Sequence, residues 1–229
     1  MMLVMKHVSL LFTGLLMATA VYAESPMFTD DAGTMAPGQQ KLEFVWQKDA
    51  HTHQPVLAWG ISPLENLELG LSTGRGTDST TTDKVLAHTV SVKWVPLQAA
   101  QSWSAGLRWD WIYETTQSPG QPDALVHGYA LTALASYRQS EGGTWHLNWG
   151  KNYRTLVTGT QNASIWALGY DHPLGEKLTV TAEIHSQTAQ SPDKALGLRY
   201  EIREGLKLSG ALGRGNERQF GQLGLAWEY

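Results

Sequence analysis

Side chains able to carry charge or exchange protons recur in this sequence at alternate positions of otherwise apolar segments. Glu43, Lys93, Arg108, Asp110, Glu114, His146, Asn148, Glu183, His185, Arg199 and Glu201 each adjoin apolar or aromatic residues. In an extended chain successive side chains point to opposite faces, so these residues are expected to share one enclosed polar face. Both signs of charge are present, which leaves two uses open. The groups pair with one another and fill the interior as a satisfied network, or they border a narrow polar path. Covalent catalysis would need a Ser nucleophile within hydrogen-bond reach of a His base. The adjacent pair His185 and Ser186 would point to opposite faces of a strand, so no catalytic residue is assigned. His51 and His53 share a face, but two His without a third ligand make a poor metal site, and no metal or cofactor is expected.

The elements that would position this polar face are strands. Trp103, Ala105, Leu107, Trp109, Trp111 and Tyr113 alternate with Ser104, Gly106, Arg108, Asp110, Ile112 and Glu114. The aromatic row is too continuous for water, and the opposite row carries charges that could not face lipid. The same period of two marks residues 42–46, 56–62, 66–72, 86–94, 125–137, 145–149, 178–184, 196–202, 206–212 and 223–229. Residues 163–170 form a further strand whose register is open, because Ile165 and Ala167 compete with Trp166 and Leu168 for the apolar face. Short turns at 62–65, 96–101, 140–143, 171–177 and 203–205 alternate with polar connections near 48–54, 73–84, 115–123, 151–162, 186–194 and 213–219. The pattern predicts an all-β fold, an antiparallel transmembrane β-barrel of about 12 strands with short periplasmic turns and longer external loops. A soluble sandwich would mix turn lengths at both ends.

The N-terminus fixes the expected compartment. Lys6 and His7 precede an apolar run from 8 to 21, and Val21-Tyr22-Ala23 supplies small residues for cleavage. Residues 1–23 read as a signal peptide cut after Ala23, residues 24–38 as an N-terminal periplasmic leader or plug, and residues 39–229 as the barrel. The chain has no Cys, so neither a lipidated Cys anchor nor a disulfide framework is available. With 21 acidic against 17 basic residues and no basic run, nucleic acid is not an expected partner. No run after residue 23 is long and apolar enough to span as a helix, so a membrane crossing must use strands.

Trp and Tyr collect where headgroups meet hydrocarbon. Trp94, Trp103, Tyr137, Trp145, Tyr170, Trp227 and Tyr229 would form one girdle, and Trp111, Tyr113, Trp149 and Tyr153 the other. Leu223, Leu225, Trp227 and Tyr229 fall on alternate positions and end on an aromatic residue, resembling the insertion signal read by the barrel-assembly machinery. The segment Thr29-Asp30-Asp31-Ala32-Gly33, the Pro37-Gly38 step and the Leu42-Glu43 strand resemble a known family. That family comprises outer-membrane channels or transporters of the phenol-degradation meta-pathway type, and Trp59-Gly60-Ile61-Ser62 with residues 67–71 resembles its first short turn. The resemblance covers about the first quarter of the chain after residue 23 and implies a barrel with a transport role in the bacterial outer membrane. Its partners would be outer-membrane lipid, the assembly machinery and a small-molecule solute. An outer-membrane enzyme of phospholipase type and a structural barrel with a filled lumen are the alternatives.

Overall fold

A computed structural model describes residues 25–98, 102–140, 142–156 and 159–229. The signal peptide read over residues 1–23 lies outside them. The described chain forms twelve antiparallel strands: β1 (Gln40–Asp49), β2 (Thr52–Leu64), β3 (Leu67–Asp78), β4 (Lys84–Gln98), β5 (Trp103–Gln117) and β6 (Ala124–Arg138), then β7 (Thr144–Leu156), β8 (Gly159–Pro173), β9 (Leu178–Gln187), β10 (Asp193–Arg203), β11 (Leu206–Gly215) and β12 (Arg218–Glu228). Each strand pairs with its neighbours in sequence, and β1 pairs with β12, so the sheet closes and leaves no open edge. At the seam Gln40 and Tyr229 exchange backbone hydrogen bonds of 2.8 and 2.9 Å. Both ends of the barrel wall therefore lie at one mouth, called here the terminal end; the opposite mouth is the far end.

The side-chain period of two appears directly in the burial. On β5, Leu107, Trp109, Trp111 and Tyr113 are exposed, while Arg108, Asp110, Ile112 and Glu114 are buried. This is the inverse of a soluble protein, since large apolar side chains cover the outside and charged ones fill the inside. The aromatic residues form rows fixed by strand register. Trp103 opposes Tyr137, Tyr137 opposes Trp145 and Trp145 opposes Tyr170 near the terminal end. Trp111, Tyr129 and Tyr153 form a second row toward the far end.

Two features were not legible in the alternation. The register left open at 163–170 is decided by pairing: Trp166 opposes Trp149 on the outside, and Ala167 is buried. The strands also run further than expected into the polar segments. β7 and β8 remain paired out to Leu156 and Gly159, and β1–β2 and β11–β12 turn through 50–51 and 216–217 alone. Backbone pairing is indifferent to whether a side chain is Gly, Thr or Leu, so composition underestimates strand length where the chain stands in water. The 216–217 turn is tight because Asn216 and Glu217 both hold positive φ, at 46° and 61°, the geometry of a two-residue hairpin loop.

Candidate functional site: a lumen crossed by the N-terminal leader

Residues 25–38 do not hang from the barrel. They enter its interior, sweep round the wall and descend to the terminal end, where Gly38 N–H donates to the Ser62 carbonyl at 2.7 Å. Thr29 and Asp30 are buried. The leader's polar groups meet side chains from seven strands. Ser25 donates to the Glu43 carboxylate of β1, and its carbonyl accepts from Arg199 Nε of β10 at 2.8 Å. Glu183 of β9 accepts from the N–H groups of Phe28 and Thr29 at 2.8 and 3.0 Å and from the Thr29 hydroxyl at 3.0 Å. Asn148 of β7 brackets Asp30, accepting from its N–H at 2.7 Å and donating to its carbonyl at 2.8 Å. Ser136 of β6 accepts from Ala32 N–H at 2.8 Å and lies 2.8 Å from His146 Nδ1.

The centre of this arrangement is Asp30. One carboxylate oxygen meets Lys93 Nζ of β4 at 2.9 Å and the other meets Arg108 of β5 at 2.8 Å. Lys93 also holds Asp31 at 2.7 Å, and Arg108 holds Asp110 at 2.8 Å. Charge taken out of water is tolerable only when it is paired and hydrogen-bonded, and these five groups satisfy one another. Enclosure by the wall pushes the Asp31 carboxyl up, although its side chain keeps 45 % of its surface. The Lys93 ammonium, with further pull from His146 and Lys41, outweighs this and holds Asp31 well below the usual carboxylate range.

Room for the leader is made by glycine. A Cβ at Gly197 would sit 2.5 Å from Pro26 Cγ and 2.6 Å from Thr181 Oγ1, and one at Gly169 would sit 2.9 Å from Thr29 Cβ. Any larger residue at these wall positions would compete with the leader for the same space.

Of the sequence-predicted polar face, Glu43, Lys93, Arg108, Asp110, Glu114, His146, Asn148, Glu183 and Arg199 are buried inside the barrel. His185 and Glu201 are half-buried, the first with its ring 4.7 Å from that of Phe28, the second accepting from Gly205 N–H at 3.3 Å. Ser186 points outward and donates to the Gln190 carbonyl at 3.0 Å, apart from the His185 ring. No group of three or more His, Asp or Glu among the described residues is arranged to hold a metal ion. Thr29, Asp30 and Asp31 lie in the lumen, and Leu223, Leu225, Trp227 and Tyr229 are exposed on the outer wall. Sequence reading missed Lys41 and Glu68, which are buried and sit in phase with Glu43 and Lys93, so the same alternation applied along β1 and β3 would have found them. It also missed Ser136 and the glycine seats, whose role depends on the leader's path.

On the far side of the leader the lumen opens into a cavity of about 190 Å³, floored by Phe28 and Asp30. Asn152, Arg154, His185 and Gln222 line it. Their atoms Asn152 Oδ1, Arg154 Nε, His185 Nε2 and Gln222 Oε1 are buried and have no hydrogen-bond partner among the described residues. At the rim Arg218 bridges Asp49 and Asp193 at 3.1 and 2.9 Å.

A closed barrel with an apolar exterior and a polar, leader-crossed interior defines the porin-like class of fold. The KdgM porin in complex with disordered oligogalacturonate matches it with a TM-score of 0.61 at 10 % identity, over 82 % of this chain and 98 % of that chain. The NanC porin matches with a TM-score of 0.54, also at 10 % identity and over 82 % and 98 % of the two chains. The chain belongs to the family described as "Uncharacterised conserved protein UCP029691", which matches residues 11–220. No curated protein matches the sequence.

Proposed function

We propose that this protein is an outer-membrane channel for small solutes whose lumen is closed at rest by its own leader, residues 25–38. The observation that carries the reading is the mode of attachment. The leader is held across the interior by side-chain hydrogen bonds and ion pairs to Glu43, Lys93, Arg108, Ser136, Asn148, Glu183 and Arg199. Those groups are polar enough to serve a water-filled path once the leader moves. Twelve strands make a barrel between the side-chain-filled eight and the open sixteen, so what occupies the lumen decides whether it conducts.

The exposed Leu, Val and Trp of the outer wall suit lipid, and the signal peptide over 1–23 and the alternating aromatic C-terminus suit export and insertion by the assembly machinery. Two porins share the fold, and one of them, KdgM, is seen in complex with an oligogalacturonate. The resemblance of residues 29–33 to channels of the phenol-degradation type points to small organic molecules instead, so the solute is left as a small polar or amphipathic compound. The unpartnered atoms of the far-end cavity would be its first contacts.

Planar-bilayer recording tests this. The protein as found should be nearly silent, and a variant lacking residues 25–34 should conduct steadily. Silence in both would mean a permanently filled, structural barrel. Equal conductance in both would mean that the leader does not close it.

A further inference from the structure

Among the described strand residues, the charges on the outer wall between the strand ends are of one sign. Among described strand residues that point outward between the ends, the charged ones are Lys48, Arg75, Lys84, Lys151, Lys194 and Arg214, each exposed and each in the far-end half of its strand. The strand carboxylates, Glu43, Glu68, Asp110, Glu114, Asp171 and Glu183 among them, lie on inward positions. Two of the outward cations meet. Lys194 of β10 and Arg214 of β11 are direct cross-strand partners on one face, and neither forms an ion pair with a described residue. Like charges placed opposite each other in a sheet repel, a cost that an anion shared between them removes. Glu217 in the adjoining turn borders the same surface and pairs with neither.

Directly toward the terminal end the wall is apolar and indented. Leu196 lies between Ala182 and Leu212 in register, and with Leu168 and Ile184 they line a groove of about 790 Å³ that runs up to Lys194, Arg214 and Gln219. An apolar groove capped by two cations matches a lipid with a phosphorylated headgroup.

Resting on the reading of the barrel as an outer-membrane protein, we propose that the outer wall of β8–β11 binds a phosphorylated lipid of the external leaflet. The phosphate lies between Lys194 and Arg214, and an acyl chain occupies the groove beneath.

The protein in a neutral detergent is titrated with bis-phosphorylated lipid A, with the same lipid after removal of its phosphates, and with inorganic pyrophosphate, and adducts are quantified by native mass spectrometry. The phosphorylated lipid is expected to bind best. Replacing both cations (Lys194→Ala with Arg214→Ala) should weaken it about 25-fold, at about fivefold for each cation beside a charged lipid surface. Lys84→Ala, on the opposite part of the wall, should leave binding unchanged. Equal retention of the dephosphorylated lipid, or no effect of the double substitution, overturns the proposal. Pyrophosphate binding as tightly as the lipid overturns it too, leaving a phosphate site without a lipid. Insertion into lipid vesicles, followed by heat-dependent gel mobility, is scored separately. Failure there would sink the membrane reading itself, whereas normal insertion without phosphate discrimination would sink only the lipid site.

Discussion

Asp30 accepts Lys93 with one oxygen and Arg108 with the other, while its backbone is bracketed by Asn148. Asp31 shares Lys93 from the more exposed side. Because the docked Asp31 carboxyl titrates below its ordinary value of 3.8, its contribution to docking is complete above that value and declines as the pH falls through and below it. Conductance in a planar bilayer should therefore rise as the pH drops below about 4. In the Asp31→Asn variant it should already be raised at neutral pH and respond less to acid. A flat wild-type profile down to pH 3 would argue against Asp31 as a latch. The charged members of this cluster on the wall were legible because each interrupts an apolar row. Their partner in the leader was not, since Asp30 and Asp31 follow no strand period and read equally well as a solvated tail.

At the scale of the strand, face assignment has an energetic consequence that is easily measured. Leu107 is exposed on the outer wall and its neighbour Arg108 is buried. An Arg facing lipid near mid-depth costs about 2–4 kcal/mol in such barrels, so Leu107→Arg should lower folding stability in lipid vesicles by that order. Thr115→Lys, outward on the same strand but near its far end, should cost much less. Equal costs at the two depths would mean that β5 is not a membrane strand. The strand faces could be read from the sequence because the period of two is imposed by the backbone itself. Strand ends could not, as Asn152, Thr155, Gly159 and Thr160 pair as well as any apolar residue. The face of Trp166 follows from Trp149 across the ladder, which is information held by another strand.

For the molecule as a whole, both barrel ends lie at one mouth. On the proposed outer-membrane reading, with that mouth toward the periplasm, the turns at 65–66 and 204–205 would face the periplasm and the loop at 79–83 the outside. A Cys introduced by Thr80→Cys should react with an impermeant thiol reagent on intact cells, whereas Gly142→Cys should react only after the outer membrane is breached. The reverse pattern would invert the barrel. Closure and strand number were within reach of the sequence, because alternation repeated along the chain counts strands and adjacent turns make them neighbours. The choice between a plug and a solvated leader, and the path taken through the lumen, were beyond it, since the seats at Gly169 and Gly197 reveal their purpose only against Thr29 and Pro26.

The leader brings its own carboxylates to Lys93 and Arg108 on the lumen wall. If it withdraws, Lys93 and Arg108 lose Asp30 and Asp31, and the local balance there shifts by two negative charges. Opening would thus alter permselectivity as well as flow, since Lys93 is then without both leader carboxylates while Arg108 keeps Asp110. Solutes bearing a carboxylate or phosphate would then compete directly with the leader for the cations that hold it, so that the traffic itself helps to keep the gate apart.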